Sequence, residues 1–310
     1  MKSAEFRRAW VLGSALVALL ASTRDASAYC RTSVCGDVEN YYTGARCDPP
    51  MPDDCGTPIA WPEPCMGFSV QADASRQVSY EEAVNIFETA FDTWMNADCG
   101  DGLHPRLNVS NAGAVSCTEH EFNQGKGRGN ANAILFRDDG WPHAGAAHTL
   151  ALTLVTYSVG TARIYDADME INTAIHTFST GDDDVQYDLL SVVTHETGHF
   201  LGLSHSFSDV EATMVAQYPQ GSIALRDLSK DDEEAICVAY PPGPILSCDP
   251  TPRGGFSPLC EGEQLVVETD DEGCSVSAAG SSRTERGGLV AALGMLALLG
   301  TARRRRARTR

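Results

Sequence analysis

No two cysteines in the 310 residues stand in C-x-x-C spacing, which excludes a zinc-ribbon site. The glycine-rich loop from Gly125 to Gly129 lacks the Lys-Ser/Thr pair of a phosphate-binding loop. Basic charge is scarce in the body of the chain: residues 29–273 carry 39 acidic and 11 basic side chains. Such a surface repels phosphate backbones and anionic membranes, so a nucleic-acid partner is excluded. The acidity suits calcium without establishing a site for it. An apolar run of full spanning length is missing too. The N-terminal run, Ala9 to Leu20, is too short to cross a bilayer.

That short run has another meaning. Lys2, Arg7 and Arg8 precede it and Ala26-Ser27-Ala28 follows, the layout of an export signal cleaved after Ala28. Export in turn gives the cysteines a role. Ten of the eleven precede residue 274, an even set that in an oxidising compartment implies as many as five disulfides of undetermined connectivity. Five of them fall in residues 29–66, a Pro- and Gly-rich stretch read as a stapled segment without its own core. Residues 242–273 are rich in Pro, Gly and acid and read as a linker. Residues 274–310 begin at Cys274, pass through an uncharged stretch from Gly287 to Ala302, and end in arginines. Sixteen uncharged residues span about 24 Å as a helix, marginal for a bilayer, and the arginines would stay cytoplasmic.

Between these ends, residues 67–241 carry globular patterning. Gly67 to Gln71 reads as a strand. Ser79 with Glu82 forms an S-x-x-E box that opens a helix, on which Val84, Phe87, Phe91 and Trp94 make a core stripe. Arg106–Val109, Ala133–Phe136, Thr149–Tyr157 and Ala162–Ile171 are further strand candidates. On the last of these Asp166, Asp168 and Glu170 alternate and share one face, read as a solvated acidic face with calcium or a substrate edge as the alternatives. The turn Gly181 to Asp184 leads into an apolar helix from Tyr187 to Leu201. A final helix opens at Ser229, with acids in its first turn, and stops at Tyr240-Pro241.

The chemistry lies in Thr194 to Ser206, T-H-E-T-G-H-F-L-G-L-S-H-S. His195 and His199 are four apart and share one helix face, with Glu196 beside them. Gly202 can adopt the positive φ that ends a helix, so that His205 returns as a third nitrogen ligand. Three neutral imidazoles and one open position suit a catalytic zinc. His104, His120, His143, His148 and His176 have no partner at ligand spacing and read as surface or core histidines.

The eleven-residue H-E-x-x-H-x-x-G-x-x-H is the metzincin signature, and the surrounding residues resemble the matrixin branch. Ser206 follows the third histidine as in matrixins. Ala212-Thr213-Met214 matches the Met-turn, Tyr218 falls four residues later near the family's substrate pocket, and Leu228 to Asp232 with Ala239-Tyr240-Pro241 resembles the closing helix. The resemblance implies an α+β fold: a twisted, mostly parallel sheet with one antiparallel edge strand and three main helices. It implies a monomeric endopeptidase of protein or peptide substrates, with one zinc on His195, His199 and His205 and Glu196 as general base towards a zinc-activated water. Met214 would be a structural floor and Tyr218 a pocket residue. Calcium is a second candidate cofactor. Val215-Ala216 stands where matrixins usually have Tyr-Pro, and the family's H-x-D run for a structural zinc is missing. Asp54-Cys55-Gly56-Thr57-Pro58 faintly echoes the matrixin latency motif P-R-C-G-x-P-D; the even cysteine count favours a structural disulfide for Cys55, with a latency segment as the alternative. The C-terminal tail is similar to MYXO-CTERM sorting tails of myxobacterial surface proteins, which implies a tether that a sorting enzyme can remove. The rival reading is an inactive zinc-binding surface or adhesive protein.

Overall fold

The computed structural model describes residues 29–35, 42–51, 54–123, 128–207, 209–218, 220–259 and 274–277. Residues 1–28, expected from the sequence to be an export signal, and the rest of the C-terminal tail, including its apolar stretch, lie outside the described residues. Among the described residues no helix is long and apolar enough to cross a membrane.

The chain opens with a small antiparallel sheet of β1 (Tyr29–Cys35), β2 (Tyr42–Asp48) and β3 (Thr57–Pro58), in the order β2-β1-β3. Disulfides Cys30–Cys47 and Cys35–Cys55 staple it. Cys55 is therefore committed to a structural bridge, as the cysteine count suggests.

The main sheet holds β4 (Cys65–Gln71), β5 (Asn108–Val115), β6 (Ala133–Phe136), β7 (Ala151–Tyr157), β8 (Ile164–Ile171) and, from the tail, β11 (Cys274–Ser277). Two short strands outside it, β9 (Phe178–Ser179) and β10 (Tyr187–Asp188), pair in parallel with each other. The main order is β11-β7-β8-β6-β4-β5. β4, β5, β6 and β8 run parallel, and β7 pairs antiparallel with β8. This is the α+β fold expected, a mostly parallel sheet with an antiparallel edge. One addition lies outside the expectation: β11 pairs antiparallel with Leu154–Tyr157, leaving the Ala151–Thr153 half of β7 outside that pairing.

Three helices complete the domain: α1 (Tyr80–Met95), α2 (Leu189–Phe200) and α3 (Lys230–Ala239). The Ser79 hydroxyl caps α1 by accepting the Glu82 N–H. Its apolar stripe packs on the sheet as the 3.6-residue period requires: Phe68 stacks on Phe91 with ring centroids 5.0 Å apart, and Phe91 meets Phe200 of α2 edge-on at 5.1 Å. Trp94 is fully buried, and its indole N–H donates to the Thr194 carbonyl at 2.8 Å. That bond ties α1 to the turn that carries His195.

Residues 242–259, in the stretch read as a linker, are strapped to the domain. Cys65–Cys248 anchors one end, and Asn130 exchanges backbone bonds with Gly255 and Ser257 at 2.8 and 3.0 Å. The Arg253 guanidinium lies 3.9 Å from the Tyr165 ring centroid. Cys99–Cys237 joins the end of α1 to α3, and Cys117 is also disulfide-bonded.

The carboxylates of β8 correct the sequence reading. Asp166, Asp168 and Glu170 are buried, because β8 lies inside the sheet and loops cover the face they share. Asp168 accepts the backbone N–H groups of Ala133 and Glu121 at 2.6 and 2.8 Å. Glu170 takes Arg137 at 2.6 and 3.0 Å, His120 at 2.8 Å and His143 at 2.7 Å. These three acids do not form a solvated face. Nor, among the described residues, do they count as a group able to hold a metal ion; that group is elsewhere.

Candidate active site

The Asp188 carboxylate caps α2 by accepting the Ser191 N–H at 2.8 Å, and Arg226 holds Asp188 through two nitrogens at 2.6 and 2.8 Å. Every residue of α2 but Leu190 is buried, so the helix brings its polar side chains into a dry setting. His195 and His199 point the same way from successive turns. Gly202 at φ +87° reverses the chain, and a Cβ there would fall 2.8 Å from the Ile59 carbonyl oxygen, so glycine is required twice over. Beyond the turn His205 comes back to the pair.

The ligand atoms of His195, His199 and His205 lie within 4.8 Å of one another. His199 Nε2 is 3.1 Å from His195 Nε2 and 3.2 Å from His205 Nε2. The Nδ1–H of His195 donates to the Thr213 carbonyl at 2.7 Å, and that of His199 to the Leu203 carbonyl at 2.9 Å. With its proton held on Nδ1, each of these rings offers a bare lone pair at Nε2. Two lone pairs facing at 3.1 Å cannot bond each other; a cation between them resolves the conflict. Nitrogens about 2.05 Å from a tetrahedral zinc stand about 3.3 Å apart, which fits the spacing found. Burial, and the neighbouring histidines for His195 and His199, push the imidazoles below their usual range, His195 to about 3, so all three stay neutral.

Glu196 sits beside them, 3% exposed, with Oε2 accepting the Thr153 hydroxyl of β7 at 2.6 Å. Burial drives its carboxyl up to about 7 against that hydrogen bond. His195, Glu196 and His205 line one cleft of about 600 Å³, whose other walls include Leu150, Ala151, Val192, Val215 and Tyr218. Tyr218 is thus placed in the cleft, where its hydroxyl accepts the Asp188 N–H at 2.9 Å and donates to the Ser222 carbonyl.

Met214 lies under the site, 2% exposed. A Cβ on Gly198 would sit 2.3 Å from its Sδ and 2.9 Å from Trp94 Cζ2. Glycine therefore lets the thioether approach the helix between His195 and His199. We predict that Gly198→Ala lowers stability by about 1–3 kcal/mol through overpacking, read as a lower denaturant midpoint at unchanged m-value. Met214 is itself held by Asp232, whose two oxygens accept the N–H groups of Thr213 at 2.7 Å and Met214 at 3.1 Å, while Ser229 N–H donates at 2.9 Å.

Several site residues were silent in the sequence. Thr153 comes from β7, distant in sequence from α2, and Thr213 and Leu203 act through backbone carbonyls, which any residue type carries. His148 and His176 line the cleft although neither has a partner in sequence. Their signal was spatial only.

A helix-borne histidine pair, a third histidine returned by a glycine turn, and a mostly parallel sheet with an antiparallel edge place the molecule among zinc-dependent hydrolases of the zincin class. A family model narrows this. The model for matrixin matches residues 60–241, more than half of the chain, which therefore belongs to the matrixin family. Matrixins are zinc-dependent endopeptidases. No curated protein matches the chain.

Proposed function

We propose that the protein is an exported endopeptidase that holds one zinc on His195, His199 and His205 and uses Glu196 as general base. The observation that carries this is the pair of proton-free Nε2 atoms facing each other at 3.1 Å, with Glu196 at the cleft wall beside them. Bound zinc supplies Lewis acidity, polarising a scissile carbonyl and acidifying a water. The chain supplies the rest. Glu196 takes the water's proton on a carboxylate oxygen and passes it to the departing amine. Thr153 fixes the carboxylate's orientation through its 2.6 Å bond. A peptide strand entering the cleft can add to the Ala151–Thr153 half of β7, which lies outside the β11 pairing, by main-chain hydrogen bonds. The cleft walls around Tyr218 then receive a side chain.

Export is supported by the N-terminal signal pattern and by the four disulfides seen among the described residues. On this reading residues 1–28 are removed, 67–241 form the catalytic domain, and the tail from Cys274 tethers it transiently to the cell surface. The functional test is metal analysis with casein or gelatin digestion. We expect one zinc per chain, complete loss of cleavage on chelation, and recovery on zinc addition. A zinc-loaded chain that never cleaves would instead support an inactive surface protein.

A further inference from the structure

Gly202, Leu203 and Ser204, the three residues before His205, find hydrogen-bond partners in the N-terminal hairpin. The Thr32 N–H donates to the Gly202 carbonyl at 3.0 Å, and the Ser204 N–H donates to the Cys30 carbonyl at 2.9 Å. Arg31 and Leu203 form an antiparallel bridge between these two bonds. The buried Thr32 hydroxyl donates at 3.0 Å to the Leu203 carbonyl, the same oxygen that accepts the His199 Nδ1–H. On the other side the Ile59 carbonyl fills the space a Cβ on Gly202 would take, and the Ile59 N–H donates to Thr32 at 2.9 Å. Cys30, the acceptor for Ser204, is tied to Cys47. None of the described residues of 29–58 lines the cleft, so in this arrangement the hairpin does not obstruct substrate.

We infer that the disulfide-stapled hairpin positions the zinc ligands, with Thr32 as the positioning residue that holds the Leu203 carbonyl against His199 and sets the approach of His205. The inference rests on the three histidines holding zinc. An acceptor behind a ligating imidazole fixes its ring and tautomer, and disturbing such a group typically costs about 10–100-fold in metal affinity. Thr32 reaches two parts of the site at once: its hydroxyl acts on His199 through Leu203, and its amide acts on the Gly202 turn before His205.

The test is zinc affinity of the full chain by competition with a chromophoric chelator. Thr32→Val, of equal size, should bind zinc about tenfold more weakly, while Thr32→Ser, which restores the hydroxyl, should stay within about twofold of wild type. The melting temperature of the zinc-free chain separates positioning from general stability: affinity should fall in Thr32→Val well beyond what any shift in zinc-free melting accounts for. Should Thr32→Val not fold, amide exchange on wild type provides the second measurement. By reciprocity, zinc should slow exchange at the Thr32 and Ser204 amides by about the factor through which they support it. Unchanged affinity in Thr32→Val, or unchanged exchange at both amides, overturns the inference alone. A wild-type chain that takes up no zinc overturns the site reading beneath it.

Discussion

Glu196→Ala should reduce kcat for peptide hydrolysis by about 10²–10⁴-fold while the chain still binds one zinc. The carboxylate touches none of the three ligand nitrogens by hydrogen bond; its bond is to Thr153, so its loss leaves the nitrogen set intact. Glu196→Gln sharpens the test. The amide keeps the size and can still accept from Thr153, but it cannot take a proton, so it should be as inactive as alanine. Activity that survives either change with zinc bound would remove Glu196 from the mechanism. The pH profile follows from the same group. Burial raises the carboxyl to about 7, and a cation held by the adjacent imidazoles would lower it by Coulomb attraction. The base works only when ionised, so activity should fall as pH drops through that lowered value, with the acid limb below 7.

The helix that carries His195 and His199 was legible because it is local. Histidines four apart, an acid beside the first and a glycine six residues on fix a helix face and its end without any distant contact. The core stripe of α1 and the helix starts at Ser79 and Ser229 were readable for the same reason, and both hydroxyls accept an N–H of the first turn. What escaped depends on position in the sheet. Alternation showed that Asp166, Asp168 and Glu170 share a face of β8 but could not show what covers it. Burial of that face rests on the loops around residues 118–123 and 137–148, eighteen or more residues away along the chain. The strap at residues 242–259 was hidden similarly: its composition is that of a linker, and Cys65–Cys248 with the bonds to Asn130 hold it in place. Of the histidines without a partner in sequence, His120 and His143 found theirs in space, at Glu170.

Two of those histidines set the second prediction, Glu170→Gln, which should destabilise the fold by about 3–5 kcal/mol, the usual cost of breaking a buried ion pair by removing one partner. Glu170 is fully buried and its oxygens are shared by Arg137, His120 and His143. Glutamine leaves the Arg137 guanidinium, only 10% exposed, without its main counter-charge. Glu119 touches the same guanidinium from a side chain 73% exposed, so Glu119→Gln is the control and should change stability by less than about 1 kcal/mol. Burial alone would raise the Glu170 carboxyl, but the hydrogen bonds from His120, Arg137 and His143, with the Arg137 charge, hold it at about 2 against an ordinary 4.5. A depressed carboxyl stabilises the fold fully above its unfolded value and loses that contribution as protons bind. Wild-type stability should therefore fall as pH drops from about 4.5 towards 2, and the Glu170→Gln chain should lack that part of the slope. His120 has the opposite sign. Its hydrogen bond to Glu170 raises its pKa above 6.5, so its ionic contribution is complete below 6.5 and fades as pH rises through the raised value. The cluster is thus strongest between about 4.5 and 6.5. Since Arg137 and His143 lie on the segment that continues to Ala147 and His148 at the cleft wall, local amide exchange over 137–148 should rise first in the variant. Equal unfolding curves for wild type and Glu170→Gln across this pH range would show that the pairing contributes nothing to stability.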